Sequence, residues 1–419
     1  MARAIGLDDI ERVRPAVEKV AVRTPVFNSR MLTEKVAGSR VLLKAENLQR
    51  TGSFKVRGVS AKLSELGESA SRGIVAASAG NHAQAVAFGA AAHGVPAHVF
   101  MPAEASIAKA EATLAYGASI HLEGESVDDC LQLAAARCAK SGEILVHPFN
   151  DPAVIAGQGT LGLELLEQVD ELRLVVIPLG GGGLAGGVAL ALKSKNPEIQ
   201  VVAVQAAACA PYVESLKAGR AVEVPTLPTL ADGIAVKHPG DLTLPLIEEF
   251  VDEVVTVNED DIADAMVLLL ERAKLLVEGA GAVGVAAVLA GSIKVPTNGA
   301  TVLVLSGGNV DTGLLAPAIR RHESNAGRRL VVFARVPDRP GQLARLLTVL
   351  GEAGGNVVTV EHLRDGYDLH VRETGLHVVL ETRNREHAAT VLQAARDHGY
   401  SVSPVGWRAE AGPPPDLQK

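Results

Sequence analysis

The sequence predicts an α/β protein: a large core of parallel sheets covered by helices, followed by a small C-terminal module of ferredoxin-like fold. Two observations predict the core. Short apolar, β-branched runs alternate with longer Ala- and Leu-rich helical patterns over most of the chain, and several runs end in a glycine-rich turn. Continuous apolar strands separated by helices are typical of parallel sheets buried on both faces. The strand segments begin at Arg40, Gly73, Ala97, Arg173, Gln200 and Thr301.

The composition restricts the classes of function. The chain has 419 residues and a formal net charge of −8. It has no basic block, which argues against a nucleic-acid partner. The spacing of Ile10, Val13, Val17 and Val20 predicts an amphipathic N-terminal helix rather than a signal peptide, and no apolar stretch is long enough to span a membrane. We therefore expect a cytoplasmic protein without a nucleic-acid or membrane partner.

The cysteines and histidines indicate neither disulfides nor a metal site. Cys130, Cys138 and Cys209 are an odd number without CxxC spacing, and the 12 histidines show no HExxH pattern. A nucleophile elbow of the form GxSxG is also absent from the sequence. Glu259 and Asp260 are interpreted as solvated acids at a helix start. We expect no bound metal.

The C-terminal module is predicted from a change in the sequence pattern near Pro317, where the alternation of apolar strands and helices gives way to a polar, charged stretch. The charged stretch that follows includes a loop at Asn325-Ala326-Gly327. After it the pattern runs strand, helix, strand, strand, helix, strand, which is the order of a ferredoxin-like fold. Its first helix carries the apolar stripe of Leu343, Leu346, Leu347 and Leu350. The predicted boundaries are a linker at 321–328, the module at 329–407 and a disordered tail at 408–419.

The richest motif is Glu46-Asn47-Leu48-Gln49-Arg50-Thr51-Gly52-Ser53-Phe54-Lys55-Val56-Arg57-Gly58. It places Lys55 in a turn that leaves a strand and enters a helix. The helix dipole disfavours a cation at that end and lowers the pKa of the amine. A deprotonated amine is what a Schiff base needs. The alternative is an ordinary solvated lysine.

A second motif, Ser78-Ala79-Gly80-Asn81-His82, closes one strand and opens a helix. Backbone N–H groups at a helix start form an anion site suited to a carboxylate or a phosphate. Ser78 and Asn81 add side-chain hydrogen bonds. The alternative interpretation is ordinary N-capping of the helix by one of these side chains.

The strongest glycine signal is the run Gly180-Gly181-Gly182-Gly183 between a strand and a helix. Glycines let successive N–H groups turn toward one anion, so a phosphate cradle is the natural use. The run Gly181-x-Gly183-x-x-Gly186 also matches a dinucleotide fingerprint, which expects an acid about 20 residues further on. Gln205 ends the next strand instead, and a dinucleotide is disfavoured.

The last motif is Ser306-Gly307-Gly308-Asn309, at the end of another apolar strand. A hydroxyl there can bond a neutral ring nitrogen without requiring it to be charged. A plain turn is the alternative.

Together and in this order, the four motifs resemble the fold-type II (tryptophan synthase beta-like) pyridoxal-phosphate enzymes, specifically the threonine/serine dehydratase group. The resemblance covers roughly residues 5 to 320. It implies a catalytic core over 1–320 built from two open α/β subdomains, the smaller at about 45–150. Pyridoxal 5′-phosphate would be the cofactor.

The resemblance also implies roles for individual residues. Lys55 would carry the cofactor and Phe54 would pack beside its ring. Asn81 would bond the phenolic oxygen and Ser306 the pyridine nitrogen. The substrate carboxylate would lie at Ser78 and the turn through Ala79, Gly80 and His82, and the phosphate would be held by Gly180, Gly181, Gly182 and Gly183.

Two departures from the family pattern bear on the reaction. Serine racemases of this group carry a second serine where this sequence has Ala79, so racemisation lacks a proton donor on the far ring face. A glutamate that helps to bind a divalent cation in the family is replaced by Pro228-Thr229, which argues against that cation and leaves binding through backbone carbonyl groups as the alternative. Glu278 is expected near the ring or at the edge of the cleft.

The C-terminal module resembles an ACT domain, an amino-acid-binding regulatory unit, through Asp338-Arg339-Pro340-Gly341 and Gly355-Asn356-Val357. A dehydratase core with one ACT domain resembles the medium-length threonine ammonia-lyases (threonine dehydratases). The resemblance implies a homo-oligomer, a dimer or a tetramer, and an amino-acid effector for which isoleucine is the candidate. The candidate effector contacts are Asn356, His362 and Arg364.

The resulting hypothesis is deamination of L-threonine to 2-oxobutanoate under control of the ACT domain, in isoleucine biosynthesis or threonine catabolism. A serine or hydroxyaspartate dehydratase, or a serine racemase, is the alternative within the family. Outside it, the alternatives are an amino-acid sensor with a degenerate core and a dinucleotide-dependent oxidoreductase. An intact lysine, glycine run and serine argue against degeneration, and Gln205 argues against the dinucleotide.

Overall fold

The computed structural model describes residues 5–36, 40–364 and 369–405. The chain divides into two compact units, Met1–Leu314 and Leu315–Lys419. The tail predicted at 408–419 and the last two residues of the module predicted at 329–407 lie outside the described residues.

The helices follow the predicted apolar periodicity, beginning with an amphipathic helix that buries Ile10, Val13 and Val17. In chain order they are α1 (Leu7–Val20), α2 (Arg30–Lys35), α3 (Lys55–Leu66), α4 (Asn81–His93), α5 (Ile107–Leu114), α6 (Val127–Ser141), α7 (Pro152–Gln168), α8 (Gly183–Lys195), α9 (Pro211–Ala218), α10 (Thr243–Phe250), α11 (Glu259–Leu268), α12 (Gly279–Leu289), α13 (Thr312–Asn325), α14 (Gln342–Glu352) and α15 (Arg385–Asp397). Short 3-10 turns occupy Glu46–Leu48, Arg50–Gly52, Gly67–Arg72 and Asp232–Ile234, and Leu269–Ala273 forms a π-helical turn. In the residues that the structure describes, no helix combines the length and apolar character needed to cross a membrane.

The strands form three sheets. In chain order they are β1 (Val26–Asn28), β2 (Arg40–Lys44), β3 (Ile74–Ala77), β4 (Ala97–Met101), β5 (Ser119–Leu122), β6 (Ile144–Leu145), β7 (Leu172–Pro178), β8 (Gln200–Ala206), β9 (Glu253–Val257), β10 (Ala300–Val304), β11 (Arg329–Pro337), β12 (Asn356–Leu363), β13 (Glu373–Glu381) and β14 (Ser401–Pro404). The first unit contains a sheet of order β1-β2-β10-β7-β8-β9, which is parallel except for β1, and an all-parallel sheet of order β5-β4-β3-β6. The predicted α/β class is confirmed.

Helices cover the large sheet at close range because small residues line their contacts. Helices α7 and α8 are buried along most of their length. A Cβ added to Gly159 of α7 would lie 2.9 Å from the carbonyl oxygen of Gly187 in α8. Only glycine allows the two helices to approach this closely, which accounts for part of the high glycine content.

The strand order brings the predicted motifs together. The motif with Lys55 follows β2, the four glycines follow β7, and the motif that starts at Ser306 follows β10; β10 lies between β2 and β7. The turn that starts at Ser78 follows β3 in the small sheet. Parallel strands end on the same edge of a sheet, where ligands bind in such folds.

A buried group of four charged side chains fixes the start of α3 below this edge. Arg57 donates to Glu46 from both Nε and Nη2 at 2.8 Å, and its Nη1 lies 2.9 Å from Glu164 of α7. Lys44 of β2 donates to Glu164 and to the backbone oxygen of Thr24. Burial alone would raise the pKa of Glu46, but Arg57 outweighs it and holds that pKa below its usual value.

The second unit has the predicted ferredoxin-like order, with an antiparallel sheet β12-β13-β11-β14 and helices α14 and α15. Leu346 and Leu350 of the predicted leucine stripe are buried in its core. Helix α13 includes residues 321–325 of the predicted linker. The prediction of a loop at Asn325 is wrong by one residue, because Asn325 ends α13, whereas Gly327 adopts a positive φ of 69° in the turn that follows.

Candidate active site

A cavity of about 770 Å³ opens at the carboxyl edge of the strands in the first unit. It is lined by every residue that the sequence analysis assigned to a cofactor or to a substrate: Phe54, Lys55, Ser78, Ala79, Gly80, Asn81, His82, Gly180, Gly181, Gly182, Gly183 and Ser306. Segments far apart in the sequence therefore converge on one space.

Lys55 is the first residue of α3, and its Nζ donates to the backbone oxygen of Pro148 at 2.9 Å. The same Nζ lies 5.1 Å from the centroid of the Phe54 ring. Burial lowers the pKa of Lys55 to about 8, although Glu278 acts in the opposite direction. The direction agrees with the sequence prediction, and loss of hydration is its largest cause. This lysine gives up its proton more readily than a solvated one.

The turn from Ser78 to His82 opens α4 without a side-chain cap. Gly80 is the N-cap residue, and the Ser78 hydroxyl accepts from the Gly80 N–H at 3.1 Å. The alternative that Ser78 or Asn81 caps the helix is therefore wrong. Because the first N–H groups of a helix lack acceptors within it, this turn can bind an anion.

Two histidines in the cavity wall are neutral. The carbonyl oxygen of Val146 can only accept, so the His82 Nε2 at 2.8 Å carries the proton and Nδ1 is an acceptor. Burial, with Lys55 nearby, lowers the pKa of His82 to about 3 and that of His147 to about 4. A neutral His82 with its proton on Nε2 cannot donate from Nδ1 to a carboxylate. Its contribution to an anion site is limited to its backbone N–H.

The four glycines form a cradle at the start of α8 whose walls leave no room for side chains. A Cβ on Gly181 would overlap the Phe149 ring, and one on Gly180 would lie 2.9 Å from the Ile234 Cα. Gly182, the N-cap residue, has a φ of 88°. Backbone N–H groups at a helix N-terminus without side chains suit a phosphate. Gln205, considered above, is buried and accepts from the backbone N–H of Tyr212.

The motif Ser306-Gly307-Gly308-Asn309 is more than a plain turn. The backbone oxygen of Ser306 accepts from the Phe54 N–H at 3.1 Å. Asn309 Nδ2 donates to Asn81 Oδ1 and to the Thr51 backbone oxygen, each at 2.7 Å. These contacts join three of the four motifs. No local pattern indicates this role for Asn309, because its partners lie more than 200 residues away in the sequence.

Glu278, which the sequence placed only loosely near the site, lies in the cavity wall at 5% exposure. Its Oε1 accepts from Asn81 Nδ2 at 2.7 Å. Burial, together with the negative charge of Asp232, raises the pKa of Glu278 to about 7. Asn309, Asn81 and Glu278 thus form a continuous chain of hydrogen bonds along the wall.

The raised pKa of Glu278 predicts a pH-dependent stability of the cofactor-free protein. The folded state binds this proton more tightly than the unfolded state, whose pKa is near 4.5, so the contribution is complete below pH 4.5 and disappears as the pH rises to about 7. Relative to Glu278→Gln, the parent should lose on the order of 3 kcal/mol of unfolding free energy across this range. Urea unfolding of both proteins at several pH values measures the difference, and parallel curves would contradict the assignment.

An ion pair that the sequence did not reveal also lines the cavity. Lys109 Nζ of α5 lies 2.8 Å from Asp232 Oδ2. Burial acts to lower the pKa of Lys109, but Asp232 outweighs it and the pKa is raised. Neither residue falls in one of the four motifs, and their separation in sequence gives no sign of the pairing.

Glu259 contacts the segment at Thr229, where the family's cation-binding glutamate is replaced. Glu259 accepts from the Thr229 hydroxyl at 2.6 Å and from the Leu230 N–H at 2.7 Å, so its interpretation as a merely solvated acid is wrong. Among the described residues, no group of three or more His, Cys, Asp or Glu could hold a metal ion. The three cysteines are free thiols.

The candidate effector residues lie on or next to β12, the edge strand of the second unit's sheet. Asn356 Nδ2 donates to Glu381 at 2.8 Å, and Arg364 lies 3.2 Å from Asp338. His362 is opposite Leu376 of β13 in the strand register. The second unit also has an open cavity of about 610 Å³, but none of these three residues lines it.

Comparison with known proteins identifies relatives along the whole chain. Residues 17–307 match the family of pyridoxal-phosphate dependent enzymes, and residues 330–399 match the ACT domain. The L-threonine ammonia-lyase of Thermotoga maritima is 45% identical over 404 residues, which are 96% of this chain and 100% of that protein. The L-threonine ammonia-lyase of Geobacter sulfurreducens is 43% identical over 94% of this chain and 98% of that protein.

Solved structures match the first unit. A threonine deaminase from T.th. is 40% identical with a TM-score of 0.69, covering 73% of this chain and 99% of that one. Maize serine racemase is 36% identical with a TM-score of 0.72, covering 76% of this chain and 98% of that one.

Proposed function

The chain belongs to the pyridoxal-phosphate-dependent enzymes, with a C-terminal ACT domain, and from this membership we propose that it converts L-threonine to 2-oxobutanoate and ammonia. Pyridoxal 5′-phosphate is its cofactor. The observation that carries the proposal is the likeness to two L-threonine ammonia-lyases through both domains, rather than through the core alone. A cavity that contains a lysine of lowered pKa supports it.

The residues of the cavity fit the cofactor. We propose that Lys55 attaches it, that the cradle Gly180–Gly183 holds its phosphate, and that Phe54 packs beside its ring. Asn81 uses one amide hydrogen for Glu278 and has a second available for the phenolic oxygen. Ser306 would meet the ring nitrogen. When bound, the cofactor supplies an electron sink for the negative charge that develops at the α-carbon.

The remaining chemistry belongs to the protein's own groups. The Lys55 amine, with a pKa of about 8, can take the α-proton near neutral pH. The turn from Ser78 to His82 binds the substrate carboxylate through the Ser78 hydroxyl and the backbone N–H of His82 at the start of α4. The bond from Cβ to the hydroxyl breaks, and the proton that Lys55 took from the α-carbon balances the leaving oxygen, so that water is released. The resulting enamine hydrolyses to the 2-oxo acid and ammonia. Ala79 provides no proton on the opposite face, which disfavours racemisation.

The direct test is 2-oxo acid release by the purified protein from L-threonine and L-serine, each with and without isoleucine. Threonine turnover exceeding serine turnover supports the proposal. Suppression by isoleucine would assign the enzyme to isoleucine biosynthesis, and indifference to it would indicate catabolism or another effector. Turnover of serine alone would favour the serine dehydratase alternative, and no 2-oxo acid from either substrate would overturn the proposal.

The cradle gives a prediction for cofactor affinity. Gly181→Ala should clash with the Phe149 ring, distort the cradle and weaken cofactor binding by about 1–3 kcal/mol, or roughly 5- to 150-fold. Titration of the cofactor-free protein measures the affinity. The control is Gly351→Ala, on α14, where a Cβ meets nothing within 4 Å. Equal affinities for the parent and the Gly181 variant would rule out the cradle as the phosphate site.

We further propose the domain roles that the sequence indicated: catalysis by 1–320 with an inner subdomain at about 45–150, a linker at 321–328 and regulation by 329–407. The ACT domain implies an amino-acid ligand. Isoleucine is the candidate, with Asn356, His362 and Arg364 as contacts. The enzyme would be a cytoplasmic homo-oligomer. Removal of residues 329–419 should change both the mass in solution and the effector response, and a truncated enzyme unchanged in both would contradict this assignment.

A further inference from the structure

Four charged side chains interact along one wall of the cavity: Lys55, Glu278, Lys109 and Asp232. The proposed reaction uses Lys55, and Glu278 bonds Asn81. The ion pair of Lys109 and Asp232 has no role in the proposed reaction. The two residues come from separate parts of the chain. Lys109 lies on α5, and Asp232 begins the 3-10 turn Asp232–Ile234.

The turn that carries Asp232 is held firmly against the cofactor site. Ile234 is packed on Gly180, and Gly233 lies close to Ala280 and Glu278. Upstream, the bonds from Thr229 and Leu230 to Glu259 fix the chain. Asp232 is therefore presented to the cavity by a rigid segment, and it holds the Lys109 ammonium at 2.8 Å.

Lys109 and Asp232 line the same cavity as the turn 78–82 and Lys55. The carboxylate is assigned to that turn and the amino group to the cofactor on Lys55. The substrate side chain is then left with the rest of the cavity lining, in which Lys109 and Asp232 are 25% and 48% exposed. While paired they present little net charge, so Lys109 offers no free cation to a second carboxylate on the substrate.

We propose that Asp232, by neutralising Lys109, makes the enzyme select uncharged β-hydroxy amino acids and reject those with a second carboxylate, such as L-threo-3-hydroxyaspartate. The inference rests on the proposed function. A free lysine in the same place would be an attractive partner for a β-carboxylate. The charge balance of the pair thus determines which substrates are accepted, and a single substitution should change the substrate preference.

The test compares the parent holoenzyme with Asp232→Asn on L-threonine and L-threo-3-hydroxyaspartate. The variant keeps the shape of the side chain and removes its charge. We expect the ratio of kcat/KM for hydroxyaspartate to that for threonine to rise at least tenfold. Adding Lys109→Met to the same variant should abolish the gain. The matched control is Asp128→Asn, which removes the more exposed pair with Lys237, 3.8 Å apart at the same cavity, and should leave the ratio unchanged.

Binding of succinate to each holoenzyme, measured by calorimetry, separates this inference from the reaction itself. Succinate is a dicarboxylate that cannot undergo elimination, and Asp232→Asn should bind it at least tenfold more tightly than the parent does. If the parent fails to turn over threonine, the proposed function fails, but succinate binding still tests the pair. Equal effects of Asp232→Asn on both substrates, with unchanged succinate affinity, would overturn the inference.

Discussion

Lys55→Ala is expected to reduce 2-oxo acid release from L-threonine by at least about 10³-fold. The substitution removes both the group that attaches the cofactor and the amine that takes the α-proton. In the parent, Lys55 Nζ is positioned in the cavity by its hydrogen bond to the backbone oxygen of Pro148. In the parent, borohydride reduction followed by mass spectrometry should place the cofactor on the peptide that contains Lys55.

Lys62→Ala is the matched control for this experiment. Lys62 lies two turns further along α3 and pairs with Asp151 at 2.7 Å, outside the cavity lining. Its removal should leave turnover per folded molecule close to that of the parent. Retention of full turnover by Lys55→Ala, or recovery of the reduced cofactor on a different lysine, would show that the assignment of Lys55 is wrong.

The second large effect concerns stability. Arg57→Met should lower the unfolding free energy of the catalytic unit by about 3–5 kcal/mol, because it leaves Glu46 buried without its main cation and Glu164 with Lys44 alone. Arg57 is 2% exposed, so water cannot replace the lost partner. Urea and thermal unfolding midpoints of the cofactor-free protein measure the loss.

An exposed pair supplies the comparison for Arg57. Arg30 and Glu34 lie 2.7 Å apart on α2, with side chains 90% and 63% exposed. Arg30→Met should change the unfolding free energy by less than about 0.5 kcal/mol, since solvent screens such pairs. Similar losses for the two variants would mean that burial does not determine how much unfolding free energy an ion pair contributes. An Arg57→Met variant as stable as the parent would mean that the buried charged group contributes little to stability.

The architecture could be predicted from the sequence because its signals are local. The runs Ile74–Ala77 and Ala300–Val304 form strands in which every residue is buried. Their nearly continuous apolar sequence already indicated buried strands of a parallel sheet. The leucine spacing from Leu343 to Leu350 placed α14 correctly. Asn325 was assigned to a loop because its polar neighbours resemble one, yet helix α13 extends to it.

The site was predictable to the extent that its residues form motifs. The motifs around Lys55, Ser78, Gly180 and Ser306 each end a strand, and parallel strands bring such ends to one edge. Glu278 could be placed only loosely, and Lys109 and Asp232 were not identified. They are 123 residues apart, and each alone resembles an ordinary surface charge.

By itself, the sequence determined the α/β class, the C-terminal module and the segments that converge on the cavity, because periodicity and glycine turns act over a few residues. The tertiary structure alone decided the electrostatics of that cavity. Burial lowers the pKa of Lys55, and burial together with the charge of Asp232 raises that of Glu278. A pKa depends on hydration and on charges within a few ångströms, and both are set only when distant parts of the chain pack together.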